Sequence, residues 1–139
     1  MQAIDVDDLA DRLHAAGTAG ATGAVDAVGP VVPLSEFLAE AADLAGFSGD
    51  VVHVDDQTLL AHDVRYWAGP RSLPLWLPAD AIGFSSRSTG SFLGAGGRHR
   101  PWQETLHRVL DDERARGIDR SRRSGLDPLA EQDVLAALR

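Results

Sequence analysis

The chain has 139 residues, 44% of them hydrophobic, enough for one domain, residues 1–139, with a real core; folding at this size buries about two-thirds of the surface an unfolded chain exposes. The formal net charge of −8 argues against a nucleic-acid partner, and the absence of cysteine excludes disulfides, thiolate catalysis and zinc-cysteine sites. All 13 basic residues are arginine, so the chain offers no lysine for a Schiff base, a phosphate loop or a Tyr-x-x-x-Lys pair.

In chain order, Asp5 is a candidate cap for a helix carrying Val6, Leu9, Ala10 and Leu13, which ends in the small-residue stretch at 17–23. Residues 24–28 read as a short strand stopped by Gly29-Pro30. Pro33 then opens a helix with Leu34, Phe37, Leu38, Ala41, Ala42 and Ala45 on one face and Gly46 past its end. Residues 51–54 read as a second strand, followed by a short helix capped by Asp55 or Asp56. From 64 to 84 the periodicity disappears, and Gly69-Pro70, Leu73-Pro74 and Leu77-Pro78 punctuate an extended, aromatic loop. A helical stripe of Trp102, Leu106, Val109 and Leu110 follows Pro101 and ends at Gly117. A basic linker at 120–123 leads to Asp127-Pro128, a cap and first-turn signal for a last helix with Leu129, Val134, Leu135 and Leu138. Short strands among about five helices predict a small α/β or mixed α+β unit. No apolar run approaches the roughly 18 residues of a membrane span, and the acidic start lacks a signal peptide's basic flank, so a soluble, cytoplasmic protein with no membrane partner is expected.

Several patterns invite chemistry. His53 and Asp55 would share one face of the second strand, but no third ligand accompanies them and no metal is expected. Gly46-Phe47-Ser48-Gly49 lacks the spacing of a nucleophile elbow, and Gly94-Ala95-Gly96-Gly97 reads as a helix stop rather than a nucleotide loop. Asp5, Asp7, Asp8 and Asp11 read as a solvated first helical turn favoured by the helix dipole. The strongest local candidate is the loop bearing Tyr66, Trp67, Arg71 and Trp76. It could line a pocket, with rings for stacking and the arginine as anion anchor, or it could pack as a satellite core.

Taken together, Ile4-Asp5-Val6-Asp7-Asp8-Leu9-Ala10, then Ala24-Val25-Asp26-Ala27-Val28-Gly29-Pro30 with Pro33-Leu34-Ser35-Glu36-Phe37-Leu38, then Gly97-Arg98-His99-Arg100-Pro101 and Thr105-Leu106 resemble a known arrangement. In this order they are similar to the C-terminal, substrate-binding half of extended short-chain dehydrogenase/reductases, the NAD(P)-dependent epimerase/dehydratase family. Residues 64–78 and 124–139 look closest to an actinobacterial branch labelled reductase or epimerase. Asp26, where that family usually has asparagine, and Asp7, where the branch often has arginine, depart from the pattern.

The resemblance implies that the glycine-rich loop, the ribose-binding acid, the catalytic serine or threonine and the Tyr-x-x-x-Lys pair belong to a Rossmann half upstream of these residues. It therefore implies no catalytic and no cofactor-binding residue in this chain, NAD(P) bound only by the full-length family, and a separate Rossmann half or a second copy as partner. A truncated gene, an internal codon read as the start, or one part of a split enzyme would each give such a chain. Tyr66, Trp67, Arg71 and Trp76 are the expected substrate-binding residues. The alternative expectation is a repurposed noncatalytic module for small-ligand binding or dimerisation.

Overall fold

Aspartate caps open three helices in the chain, whose computed structural model describes residues 1–138; Arg139, included in the expected last segment, lies outside the described residues. Helix α1 (Val6–Thr18) starts where the Asp5 carboxylate accepts from the Asp7 N–H. Helix α2 (Leu34–Ala45) follows Pro33 and stops at Gly46, which takes the left-handed conformation at φ 70°. Asp55 caps α3 (Asp56–Ala61) through the Thr58 N–H, and Asp127 caps α6 (Pro128–Ala137) through the Ala130 N–H. Between them lie strands β1 (Arg65–Tyr66) and β2 (Ser72–Leu73), a 3-10 helix at Ala79–Ser85, and helices α4 (Gly90–Gly94) and α5 (Trp102–Arg116). The described residues thus form a mixed α/β structure with two short strands and six α-helices.

The strands are not the expected ones. Residues 24–28 and 51–54 form none, because a strand needs a second backbone to pair with and neither stretch has one. The carbonyls around Gly29 are met by side chains instead: His99 Nε2 donates to Val28 O at 2.9 Å and Gln2 Nε2 to Gly29 O at 3.1 Å. Val51 and Val52 stay more than half exposed, while Val54 packs against a hydrophobic core. The pairing that does form lies inside the stretch expected to be irregular, at β1 and β2.

The chain groups into two compact units, each built from two separate stretches. The first comprises Met1–Ser48 and Gly83–Arg116. Its N-terminal stretch bridges Gln2 to Val31 in antiparallel fashion, with Val32 N donating to Met1 O at 2.9 Å. The crossing is so close that a Cβ on Gly29 would fall 1.6 Å from the Ala3 carbonyl oxygen, so only glycine fits. Phe37 of α2 stacks on Trp102 of α5 at 5.7 Å, and Phe92 of α4 is wholly buried, with the His99 ring 5.0 Å away.

The acidic start of α1 also departs from expectation. Asp5 is buried, and Asp8 has a side chain only 10% exposed; Arg100 and Arg108 reach in to pair with them. Arg100 binds Asp8 through its backbone N–H and its Nε, both at 2.9 Å, and Thr105 donates its hydroxyl to Asp5 at 2.7 Å. Half-exposed Asp7 pairs with Arg108. Sequence spacing within one helix gives no sign of arginines about 90 to 100 positions away, so the reading of a purely solvated turn holds for Asp11 alone.

The second unit comprises Gly49–Ile82 and Gly117–Arg139. Its core is Leu59 of α3, Val64 and Val134 of α6, with Val54, Leu73, Trp76, Leu126 and Leu138 packed around them. No described helix is long and apolar enough to cross a membrane.

Candidate functional site

Parallel strands ordinarily need a connection of about a dozen residues or more, because the chain must return before it can run forward again. Here β1 and β2 pair in parallel, Arg65 with Ser72 and Tyr66 with Leu73, across residues 67–71 alone. The short return is possible because backbone handedness reverses repeatedly. Trp67 lies at φ 65°, Gly69 at 95° and Arg71 at 52°, flanked by Asp63 at 58° and Leu75 at 69°. Four of these five are not glycine, and non-glycine residues in this region carry strain that concentrates at functional sites when the surroundings hold it in place.

Those surroundings are explicit. Arg65 N donates to Arg71 O at 2.7 Å and Trp67 N to Trp76 O at 3.1 Å. Ser72 is fully buried; its hydroxyl donates to Gly69 O at 2.8 Å and accepts from Gly125 N at 3.2 Å. Gly69 N in turn donates to the Ser124 hydroxyl at 3.0 Å. The turn is stapled to residues 124–125 from both sides.

The four expected site residues divide into two groups. Tyr66 and Trp76 come together, ring centroids 4.0 Å apart, over a shared acceptor: the Tyr66 hydroxyl donates to Asp56 Oδ2 at 3.1 Å and Trp76 Nε1 to Asp56 Oδ1 at 2.9 Å. Desolvation, then the hydrogen bond to Asp56 and the charges of Asp56 and Asp80, push the Tyr66 phenol above its usual range. A phenol so placed keeps its proton, the opposite of what a tyrosine base requires. Trp76 also packs on the Leu59, Val64 and Val134 core.

Arg71 and Trp67 lie elsewhere on the turn. Trp67 is 45% exposed. Arg71 donates one guanidinium N–H to His62 O at 2.9 Å, closing the C-terminal end of α3, and lines a cleft of about 550 Å3. Arg120, Arg122, Asp119 and Gly125 share that cleft, and so does Asp127, whose carboxylate is engaged as the α6 cap. Arg120 and Arg122 each reach back to a backbone carbonyl, of Gly117 at 3.4 Å and Ile118 at 3.3 Å. Three arginines and two aspartates therefore line this cleft.

Three participants were invisible to sequence reasoning. Asp56 reads in sequence as a candidate helix cap, and Arg120 and Arg122 as a surface linker; the contacts that bring 124–125 to 69–72 span more than fifty positions and leave no local signal. His53 and Asp55 do not share a strand face, as Asp55 caps α3, and among the described residues no group of three or more His, Asp or Glu is placed to hold a metal.

Comparison with protein-family models, with characterised proteins and with solved structures finds no match to this chain.

Proposed function

We propose that this chain is the substrate-binding portion of an NAD(P)-dependent epimerase/dehydratase-like or reductase-like enzyme, with Arg71 as the anchor for the anionic end of a small-molecule substrate. The observation that carries the reading is the turn at 67–71. It holds Arg71 in a left-handed backbone conformation, fastened through Ser72 and Ser124, at the edge of the arginine-lined cleft. A planar fork fixed in this way suits a carboxylate or phosphate, and a pre-set turn loses little entropy when ligand binds. The ordered set of motifs resembling the epimerase/dehydratase family supplies the enzyme class.

In this reading NAD(P) and the proton-transfer pair come from a Rossmann half. Supporting this, the N–H groups of Gly96 and Gly97 are used to close α4, donating to Leu93 O and Phe92 O at 2.9 Å each, and so are not offered to a pyrophosphate. Tyr66, held protonated beside Asp56, takes no part in proton transfer.

The test is calorimetric titration of the chain with small carboxylates, sugar phosphates and nucleotide sugars, alongside NAD and NADP. At least one anionic class should bind, and Arg71→Ala should weaken it about tenfold or more, a loss of about 1.4 kcal/mol. Because Arg71 also closes α3, a modest fall in melting temperature is expected with it. Unchanged affinity in Arg71→Ala, or saturable micromolar binding of either dinucleotide, overturns the proposal.

A second reading, a noncatalytic dimerisation module, draws on α1, which leaves Val6 and Leu13 71% and 63% exposed.

A further inference from the structure

We infer that the first unit carries a separate oxyanion site, built by Arg12 of α1 and Arg98 and suited to a phosphoryl group. The inference is independent of the function proposed above, which rests on the second unit. Arg12 and Arg98 line one cleft of about 320 Å3 with Asp8, Asp11, Gly96 and Gly97, within the roughly 300–1,000 Å3 of ordinary small-molecule sites.

The decisive observation is the state of the Arg12 side chain. Its Nε–H is shielded from solvent and has no hydrogen-bond acceptor, a condition that folded proteins rarely leave unmet. The carboxylates at hand do not meet it. Asp8 is already held by Arg100 through three contacts at 2.9 Å, to the backbone N–H, Nε and a terminal nitrogen. Asp11, one residue before Arg12, does not accept from its Nε–H either. Arg98 is exposed, so a second guanidinium stands on the same cleft.

Arg100 occupies Asp8, so the Arg12 Nε–H and the exposed Arg98 guanidinium are donors on this cleft that Asp8 does not engage. Guanidinium forks match phosphoryl oxygens geometrically, and two arginines lining one concave surface suit an anion with several oxygens. The backbone leaves the anion room: at Gly96, φ 86°, no atom lies within 4 Å of where a Cβ would stand. Gly97 is fixed beneath it, since a Cβ there would meet the Phe92 ring at 2.5 Å, and this contact sets where the chain delivers Arg98.

The experiment is a titration of the 15N-labelled chain with inorganic phosphate at constant ionic strength, read by the Arg12 Nε–H resonance and the amides of Gly96, Gly97 and Arg98. All four should shift saturably along one binding curve. Arg98→Ala, and Arg12→Met, which keeps the aliphatic bulk, should each raise the Kd at least tenfold. Asp11→Asn should lower it about threefold by removing the opposing charge. Arg114→Ala, on the exposed face of α5, should leave it unchanged. The inference is overturned if the shifts do not saturate, if Arg98→Ala binds phosphate as the parent does, if Arg114→Ala weakens binding as much as Arg98→Ala, or if saturable shifts occur only at Gly69 and Gly125 in the other unit.

Discussion

Asp5 shows how one side chain joins local and long-range order. It caps α1 through the Asp7 N–H and accepts from Thr105, while Arg100 and Arg108 stand against it. Burial alone would raise its pKa, but the Thr105 hydroxyl, the Asp7 N–H and the two guanidinium charges outweigh burial and hold the carboxyl below the usual range. As pH falls, the unfolded chain therefore takes up this proton before the folded one does. The stabilisation is complete above the ordinary aspartate value near 3.9 and is lost as pH drops through the lower folded value. Asn remains a good cap but lacks the charge. Asp5→Asn should thus be less stable than the parent by about 1–2 kcal/mol near neutral pH. Urea midpoints measured from pH 6 to 2.5 should converge at the acid end; a gap independent of pH would show that the charge contributes nothing. Asp55, also held low by the N–H and hydroxyl of Thr58, titrates in the same direction in both proteins and so cancels from the comparison.

Among the elements, α4 and the glycines after it make the sharpest steric case. Phe92 is wholly buried and cannot swing aside, so a methyl group on Gly97, 2.5–2.6 Å from three of its ring carbons, must displace the ring or the chain. Gly97→Ala should lose about 1–3 kcal/mol in chemical unfolding. Gly94→Ala, with open space around it, should lose nothing and tests whether added bulk in this helix matters by itself. Helices were legible in the sequence because their ends are set by neighbours: Asp5, Asp55 and Asp127-Pro128 at the starts, Gly46 and Gly117 at the stops. Strands were not, because β1 and β2 depend on a turn in which Trp67 and Arg71 adopt a handedness their residue types disfavour. For the same reason Arg71 could be singled out as chemistry-bearing, whereas its cleft neighbours Arg120 and Arg122 could not: they reach it through the Gly69, Ser124 and Gly125 contacts, which span more than fifty positions.

For the whole molecule, the apolar surface carries the expectation of a partner. Val6 and Leu13, seven residues apart and so on one face of α1, are large hydrophobic side chains left in contact with water at 71% and 63% exposure. An apolar stripe on an exposed helix face is a surface that a partner or a second copy can cover. Both proposed readings therefore predict self-association or capture by a complementary half. Sedimentation equilibrium of the chain alone should show a mass above one protomer that rises with concentration and persists in high salt. Replacing Val6 and Leu13 with serine should reduce it, and a sharp single-protomer mass at every concentration would count against both readings on this point.

The division of the second unit between residues before 83 and residues after 116 also imposes an order in time. During synthesis at about 5–20 residues per second, Leu59 and Val64 emerge well before α6, which brings Val134 to cover them. The first unit has all its parts once Arg116 is made, while the second waits for the last stretch. In that interval half a core lies open to chaperones and to other nascent chains. A chain interrupted before α6 would retain this vulnerability permanently, so α6 governs how safely the unit is made as well as how firmly it holds together.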